Sequence, residues 1–279
     1  EATPDSIRIS LLTCASGGEI YSLFGHTAIR YENFTRGIDA VFNYGMFNFN
    51  APNFIFRFAL GETDYQLGVT NYEHFASEYN YLGRDVWQQT LNLTQAEKEH
   101  LFNLLQENYR PENRIYRYNF FYDNCATRPR DQIEAAIDGT LQYADNMTDT
   151  DTGVTFRDLL HKYSEGHPWS RFGMDLCMGS KADQPINRRL MMFVPFYVQD
   201  FFNTARIVDN EGQARPLVSS EEKAPSKNHV PTPRNPVSIR NAVQYSPATP
   251  PTPVPRAFSP RSAETAKPDS GHPTKNALG

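Results

Sequence analysis

Ser6-Ile-Arg-Ile-Ser-Leu-Leu-Thr13 alternates polar and apolar side chains, the period-two pattern of a strand. The alternation returns in His26-Thr-Ala-Ile-Arg-Tyr31 and in Ala40-Val-Phe-Asn-Tyr44. Asn33-Phe-Thr-Arg-Gly37 lies between these two and carries turn residues, so a hairpin is expected. Phe54, Phe56 and Phe58 recur at every second residue and give one strand face that is wholly aromatic. Together with Phe47 and Phe49 that face reads either as sheet core or as the wall of an acyl groove.

The period then changes. Thr94-Gln-Ala-Glu97 is a capping box, and Leu101, Phe102, Leu104 and Leu105 follow at helical spacing until Pro111. Tyr116 to Phe121 reads as a short extended stretch. After Asp123-Asn124-Cys125, the positions Ile133, Ala136 and Ile137 predict a second helix that Gly139 closes. Pro129 falls in its first turn, where the backbone N–H groups have no intrahelical partner to lose. One or two further helices are expected between Thr155 and Trp169. A sheet of short strands with helices set apart from it is an α+β pattern.

Composition divides the 279 residues in two: residues 225–279 hold 12 of the 20 prolines but one Phe and one Tyr. Runs such as Pro247-Ala-Thr-Pro-Pro-Thr-Pro-Val-Pro255 lack ladder donors and apolar surface, so residues 216–279 are expected to form a largely disordered tail behind a domain spanning 1–215. The net charge of −5, with no basic stripe, argues against a nucleic-acid partner. The most apolar run, Leu190 to Val198, contains Pro195 and is far shorter than the roughly 18 residues that span a bilayer. The missing initiator Met reads as a trimmed targeting segment.

Cys14, Cys125 and Cys177 show no C-x-x-C spacing, so neither a metal nor another cofactor is expected. Cys14 and Cys177 are either a disulfide pair or two inert thiols. Cys125 stands at a helix start, where the dipole lowers a thiol pKa from about 8.5 and free backbone N–H groups form half of an oxyanion hole. Among the seven histidines, His26 follows Gly25 at the head of an alternating strand. Asn43, on the partner strand of the hairpin, is placed to accept from its second nitrogen. Cys125 as nucleophile and His26 as base are thus one reading. A small buried thiol and a core histidine are the other. Arg30, Arg128 and Arg130 suit a lipid phosphate, or equally salt bridges of the fold.

Four blocks resemble the Lnb-type N-terminal periplasmic domain family: Leu12 to Arg30, Phe42-Asn-Tyr-Gly45, Tyr118 to Arg128, and Asp175 to Ser180. The segments around Phe24-Gly25-His26 and Asn124-Cys125 are the most specific. The family includes lipoprotein N-acyltransferases of the Bacteroidetes envelope, and its His-before-Cys order is similar to that of permuted papain-like (NlpC/P60-type) enzymes. The resemblance implies a papain-like α+β domain in the periplasm, tethered to the inner membrane. It further implies transfer of an acyl chain from a phospholipid donor to the N-terminal amine of a lipoprotein acceptor, at a membrane surface. Cys125, His26 and Asn43 would be catalytic, and Arg30, Tyr44, Asn124 and Arg128 substrate-binding. A peptidoglycan amidase and a non-catalytic envelope binding module are the alternatives.

Overall fold

A computed structural model describes residues 6–46, 64–149 and 152–224. The aromatic positions Phe47, Phe49, Phe54, Phe56 and Phe58, and the tail from 225 onward, lie outside the described residues.

The expected hairpin is present. Strand β1 (Ile7–Cys14) runs antiparallel to β2 (His26–Asn33), with Ile7 opposite Asn33 and Cys14 opposite His26. Strand β2 turns into β3 (Ile38–Met46). Around them, β4 (Asp64–Asn71), β5 (Val86–Leu91), β6 (Ile115–Arg117) and β10 (Val218–Lys223) complete a seven-stranded antiparallel sheet of order β10-β5-β1-β2-β3-β4-β6. The extended stretch expected to Phe121 stops at Arg117. There the chain doubles back, Asn119 bridging Asp123 while its Oδ1 accepts the N–H groups of Phe121 and Tyr122.

Helices cover both faces of this sheet. Ile7, Ile9 and Leu11 of β1 join one core with α2 (Gln95–Tyr109), α3 (Thr127–Ala136) and α7 (Pro195–Thr204), through Leu101, Leu105, Ile133, Val198 and Phe202. Leu12 and Cys14 on the other face meet Phe75 and Tyr79 of α1 (Tyr72–Tyr81). A strand covered on both sides buries its polar positions too, and Ser10, Thr13 and Thr27 are fully buried. Each large aliphatic residue sealed in this way contributes about 1.5–3 kcal/mol of transfer free energy.

The capping box forms as expected: Thr94 N–H donates to Glu97 Oε2 at 2.7 Å, and Glu97 N–H donates to Thr94 Oγ1 at 3.3 Å. Two helices occupy the region expected to hold them, α4 (Phe156–Tyr163) and α5 (Pro168–Cys177). The apolar run from Leu190 is a hinge of the core. It spans the short α6 (Arg188–Met191) and enters α7, placing Met192 and Val198 in the sheet core but Phe193 and Val194 in a second, aromatic core. A small sheet of β7 (Thr140–Gln142), β8 (Arg206–Val208) and β9 (Ala214–Pro216) follows α3 and α7.

The boundary expected at residue 215 falls within this structure. Leu217 is fully buried, and β10 adds an edge strand to β5. Composition alone did not mark this end, because Ser219 to Lys223 is polar, as an exposed edge strand can be. The fold is an α+β domain of antiparallel sheet and helices.

Candidate functional site

The β2–β3 ladder runs from Asn33↔Ile38 to Ile29↔Phe42 and stops there, although the strands continue to His26 and Met46. On β3 the pairing with β4 also shifts between Asn43 and Met46, and Gly45 takes φ +86. The sheet therefore opens between β2 and β3 at the end where His26 lies.

Cys125 fills that opening. A Cβ placed on Gly45 would sit 3.1 Å from the Cys125 Cβ, so glycine is required both by its backbone angle and by the approach of the cysteine. The Thr27 N–H and the Tyr118 hydroxyl both act to favour the charged form of the Cys125 sulfur. Tyr118 is itself stacked on Tyr65, ring centroids 4.0 Å apart.

His26 Nε2 lies 3.1 Å from Asn43 Oδ1. An amide oxygen can only accept, so Nε2 carries the proton and Nδ1 is left with its lone pair. Gly25, at φ +83, lets the chain enter β2 against the Cys14 carbonyl, which a Cβ would approach to 2.6 Å, and against Phe196. The close approach that glycine permits here is thus taken up by the Cys14 carbonyl and Phe196.

The electrostatics differ from the expectation of an activated thiolate. Burial pushes the Cys125 thiol up to about 11, outweighing the donated hydrogen bonds from Thr27, Tyr118 and its own N–H. Burial also pushes His26 down to about 4, opposed by Asn43 and aided by the Arg84 cation. At neutral pH the pair is thiol and neutral imidazole. The helix start does not lower the thiol, because its amides are already used: Asn124 Oδ1 accepts from Ala126 N–H at 2.7 Å and Thr127 N–H at 2.9 Å. The same two bonds remove those amides from any oxyanion hole.

The residues expected to bind substrate have other work in the fold. Asn124 is 2% exposed and donates to the Phe120 and Phe193 carbonyls, locking the Cys125 turn onto the aromatic core. Tyr44 is fully buried with its ring edge-on to Tyr116. Arg30, four residues along β2 from His26, is bound by Asp39, Glu32 and Gln88 and lies 3.3 Å above the Tyr72 ring. Arg128 forms a paired contact with Asp123 and stacks on Tyr116 at 3.5 Å. Arg130 is buried beside Asp131. The salt-bridge reading of these arginines is the one realised. The three cysteines are free, Cys14 buried and Cys177 exposed, which removes the disulfide alternative.

Two features escaped the sequence reading. Tyr118 was legible only as part of an extended stretch, since its contact with Cys125 depends on the turn at Asn119. The second is an aromatic layer of Phe24, Phe120, Phe121, Phe156 and Phe193, with ring centroids 4.1–6.4 Å apart. It joins the segment before His26 to the segment before Cys125. On the other side, Asn43 lines a cleft of about 380 Å³ with Met46, Gln66, Gly68, Glu78 and Arg114.

The fold and site together define an α+β domain with a half-buried cysteine packed against Gly45 of β3, the strand whose Asn43 holds His26. The chain belongs to the Lnb N-terminal periplasmic domain family, whose model matches residues 1–162. That stretch holds His26, Asn43, Tyr118 and Cys125, and the family's location is the periplasm. Neither a curated protein nor a solved structure matches the chain. No helix of the described residues is long and apolar enough to cross a membrane.

Proposed function

We propose that this domain is a thiol acyltransferase that moves an acyl chain from a phospholipid to the N-terminal amine of a lipoprotein through a thioester on Cys125. The reading rests on one observation above the others: Cys125 packs against Gly45, its Cβ 3.1 Å from where a Gly45 Cβ would stand, on the strand whose Asn43 holds His26 at 3.1 Å. The arrangement of a cysteine ahead of a helix, packed on an antiparallel sheet that carries the histidine, supports a permuted papain-like ancestry.

With a neutral pair at rest, the proton moves as the bond forms. His26 Nδ1 takes it from the thiol while the sulfur attacks the ester carbonyl carbon. The Cys125 N–H, Thr27 N–H and Tyr118 hydroxyl are the donors at hand for the negative charge that develops, and each such donor is worth about 3 kcal/mol. His26 then returns the proton to the departing lysophospholipid hydroxyl, leaving the acyl group on sulfur. In the second half the acceptor amine attacks the thioester, His26 accepts the amine proton, and the thiolate leaves and is reprotonated. Asn43 holds the imidazole in the tautomer that both halves need. In the full protein, a tether to the inner membrane keeps the domain near both substrates.

A mass measurement of the intact protein after incubation with phospholipid micelles tests this. A gain of one acyl chain, released by hydroxylamine and absent from Cys125→Ala and His26→Ala, is expected. Micelle-treated protein that keeps its unmodified mass, with Cys125 also inert to iodoacetamide, contradicts it and leaves a binding module. The cleft at Asn43, whose lining mixes Gln66, Glu78 and Arg114 with Met46, Val69 and Phe75, leaves room for a second reading, a peptidoglycan amidase. Release of soluble muropeptides by the wild type but not by Cys125→Ala would select that one.

A further inference from the structure

Helix α5 turns three large apolar side chains outward. Trp169, Phe172 and Leu176 are 84%, 61% and 76% exposed and stand at i, i+3 and i+7, which aligns them on one face. No residue of this helix is fully buried. Its attachment is largely polar: Asp175 Oδ1 is 2.6 Å from Arg157 Nη1, His161 Nε2 is 2.9 Å from Asp175, and Arg171 Nη2 is 3.0 Å from His161 Nδ1. Of its apolar side chains, Met174 packs toward the aromatic core. In water alone, burying the opposite stripe would be favoured, so the fastening keeps it facing out against the hydrophobic effect.

We propose that α5 is an interfacial helix by which the domain lies on an anionic phospholipid surface. Trp, Phe and Leu on one face with exposed cations beside them is the composition that partitions to the boundary of headgroups and acyl chains. Arg171 on the helix itself is exposed, as are Lys162, Glu165 and Lys181 on the flanking segments, while Asp175 and Asp183 are held by Arg157. A second copy of the chain fits the stripe less well. Three side chains present at most about 150–250 Å² each, below the roughly 800 Å² per partner of a standard protein interface. The stripe also connects to the site. Helix α5 packs on α4, whose Phe156 and Tyr163 touch Phe121 and Phe24 in the layer flanking Cys125 and His26. The inference deepens the lipid-ester reading by naming how the donor surface is met, but its test does not require the thiol chemistry.

Sedimentation of the 279-residue chain with vesicles of phosphatidylethanolamine and phosphatidylglycerol tests the proposal. Partition of the wild type is expected to fall about tenfold or more in Trp169→Ser/Phe172→Ser/Leu176→Ser, with the thermal midpoint unchanged because none of the three is buried. In a Trp87→Phe background, the Trp169 emission should move to the blue on vesicle addition. Three outcomes overturn the proposal: wild-type protein left in the supernatant, equal sedimentation of the triple variant, or a wild-type dimer that the triple variant abolishes without any vesicle binding. The two readings separate cleanly. Cys125→Ala should bind vesicles like the wild type, and the triple variant should still be acylated by a water-soluble short-chain ester at the wild-type rate.

Discussion

Two thiols flank His26, one from the sheet and one from the chain before a helix, and their surroundings differ in what matters for chemistry. Cys14 is the ladder partner of His26, fully buried under α1, and burial with the Tyr79 contact outweighed pushes it up to about 12. Cys125 is raised almost as far, to about 11, yet it is only partly covered. Acidity therefore does not separate them. Access does, and on the proposed reading it assigns the chemistry to the opening between β2 and β3 rather than to the ladder.

The largest effect should come from exchanging the two. Cys125→Ala is expected to abolish acylation, whereas Cys14→Ala should keep it and lose only about 1 kcal/mol of stability. Intact mass after incubation with a short-chain ester reads the first quantity, and urea midpoints read the second. Removing one donor from the open side comes next. Tyr118→Phe should slow acylation by about 10²-fold without changing the urea midpoint by more than a small fraction, if its hydroxyl stabilises developing charge. Gly45→Ala is a steric probe of the same opening. Its φ of +86 and the 3.1 Å approach to Cys125 predict more than about 1 kcal/mol of destabilisation together with a displaced, slower thiol.

A pH dependence of stability has contributions from both regions. The folded His26 titrates near 4 instead of 6.5, so between those values the unfolded chain binds a proton that the folded chain refuses, and stability falls as pH drops through that window. The folded thiols titrate near 11 and 12 instead of 9.0, so above pH 9 the unfolded chain loses protons that the folded one keeps, and stability falls as pH rises. Urea midpoints should show a plateau from about 6.5 to 9, with the acid slope reduced in His26→Gln and the alkaline slope reduced in Cys14→Ala.

Much of this arrangement was legible in the chain. The hairpin of His26 and Asn43 followed from alternation and a turn, and the Thr94–Glu97 box fixed the start of α2, because both signals are local. The segment Val86-Trp-Gln-Gln-Thr-Leu91 was not read as a strand because Gln88 and Gln89 are polar, yet they are 1% and 0% exposed. Gln89 bonds the Gln199 carbonyl, Asn203 and Glu221, partners far away in sequence. The helix-dipole argument for Cys125 failed for a similar reason. Asn124, expected beside substrate, spends its side chain on the same amides, and desolvation by distant segments sets the thiol. Spacing along a chain reports neighbours, whereas burial is decided by what folds over them.

The most direct test of the central claim is the rate of Cys125 acylation by a soluble short-chain ester as a function of pH, in the wild type and in His26→Gln. A neutral thiol whose proton passes to His26 predicts a wild-type rate that is nearly flat from just above pH 4 to near 11, and a variant rate that rises about tenfold per pH unit over the same range. A wild-type rate that climbs with hydroxide as steeply as the variant would show that His26 takes no proton from Cys125, and would contradict the account.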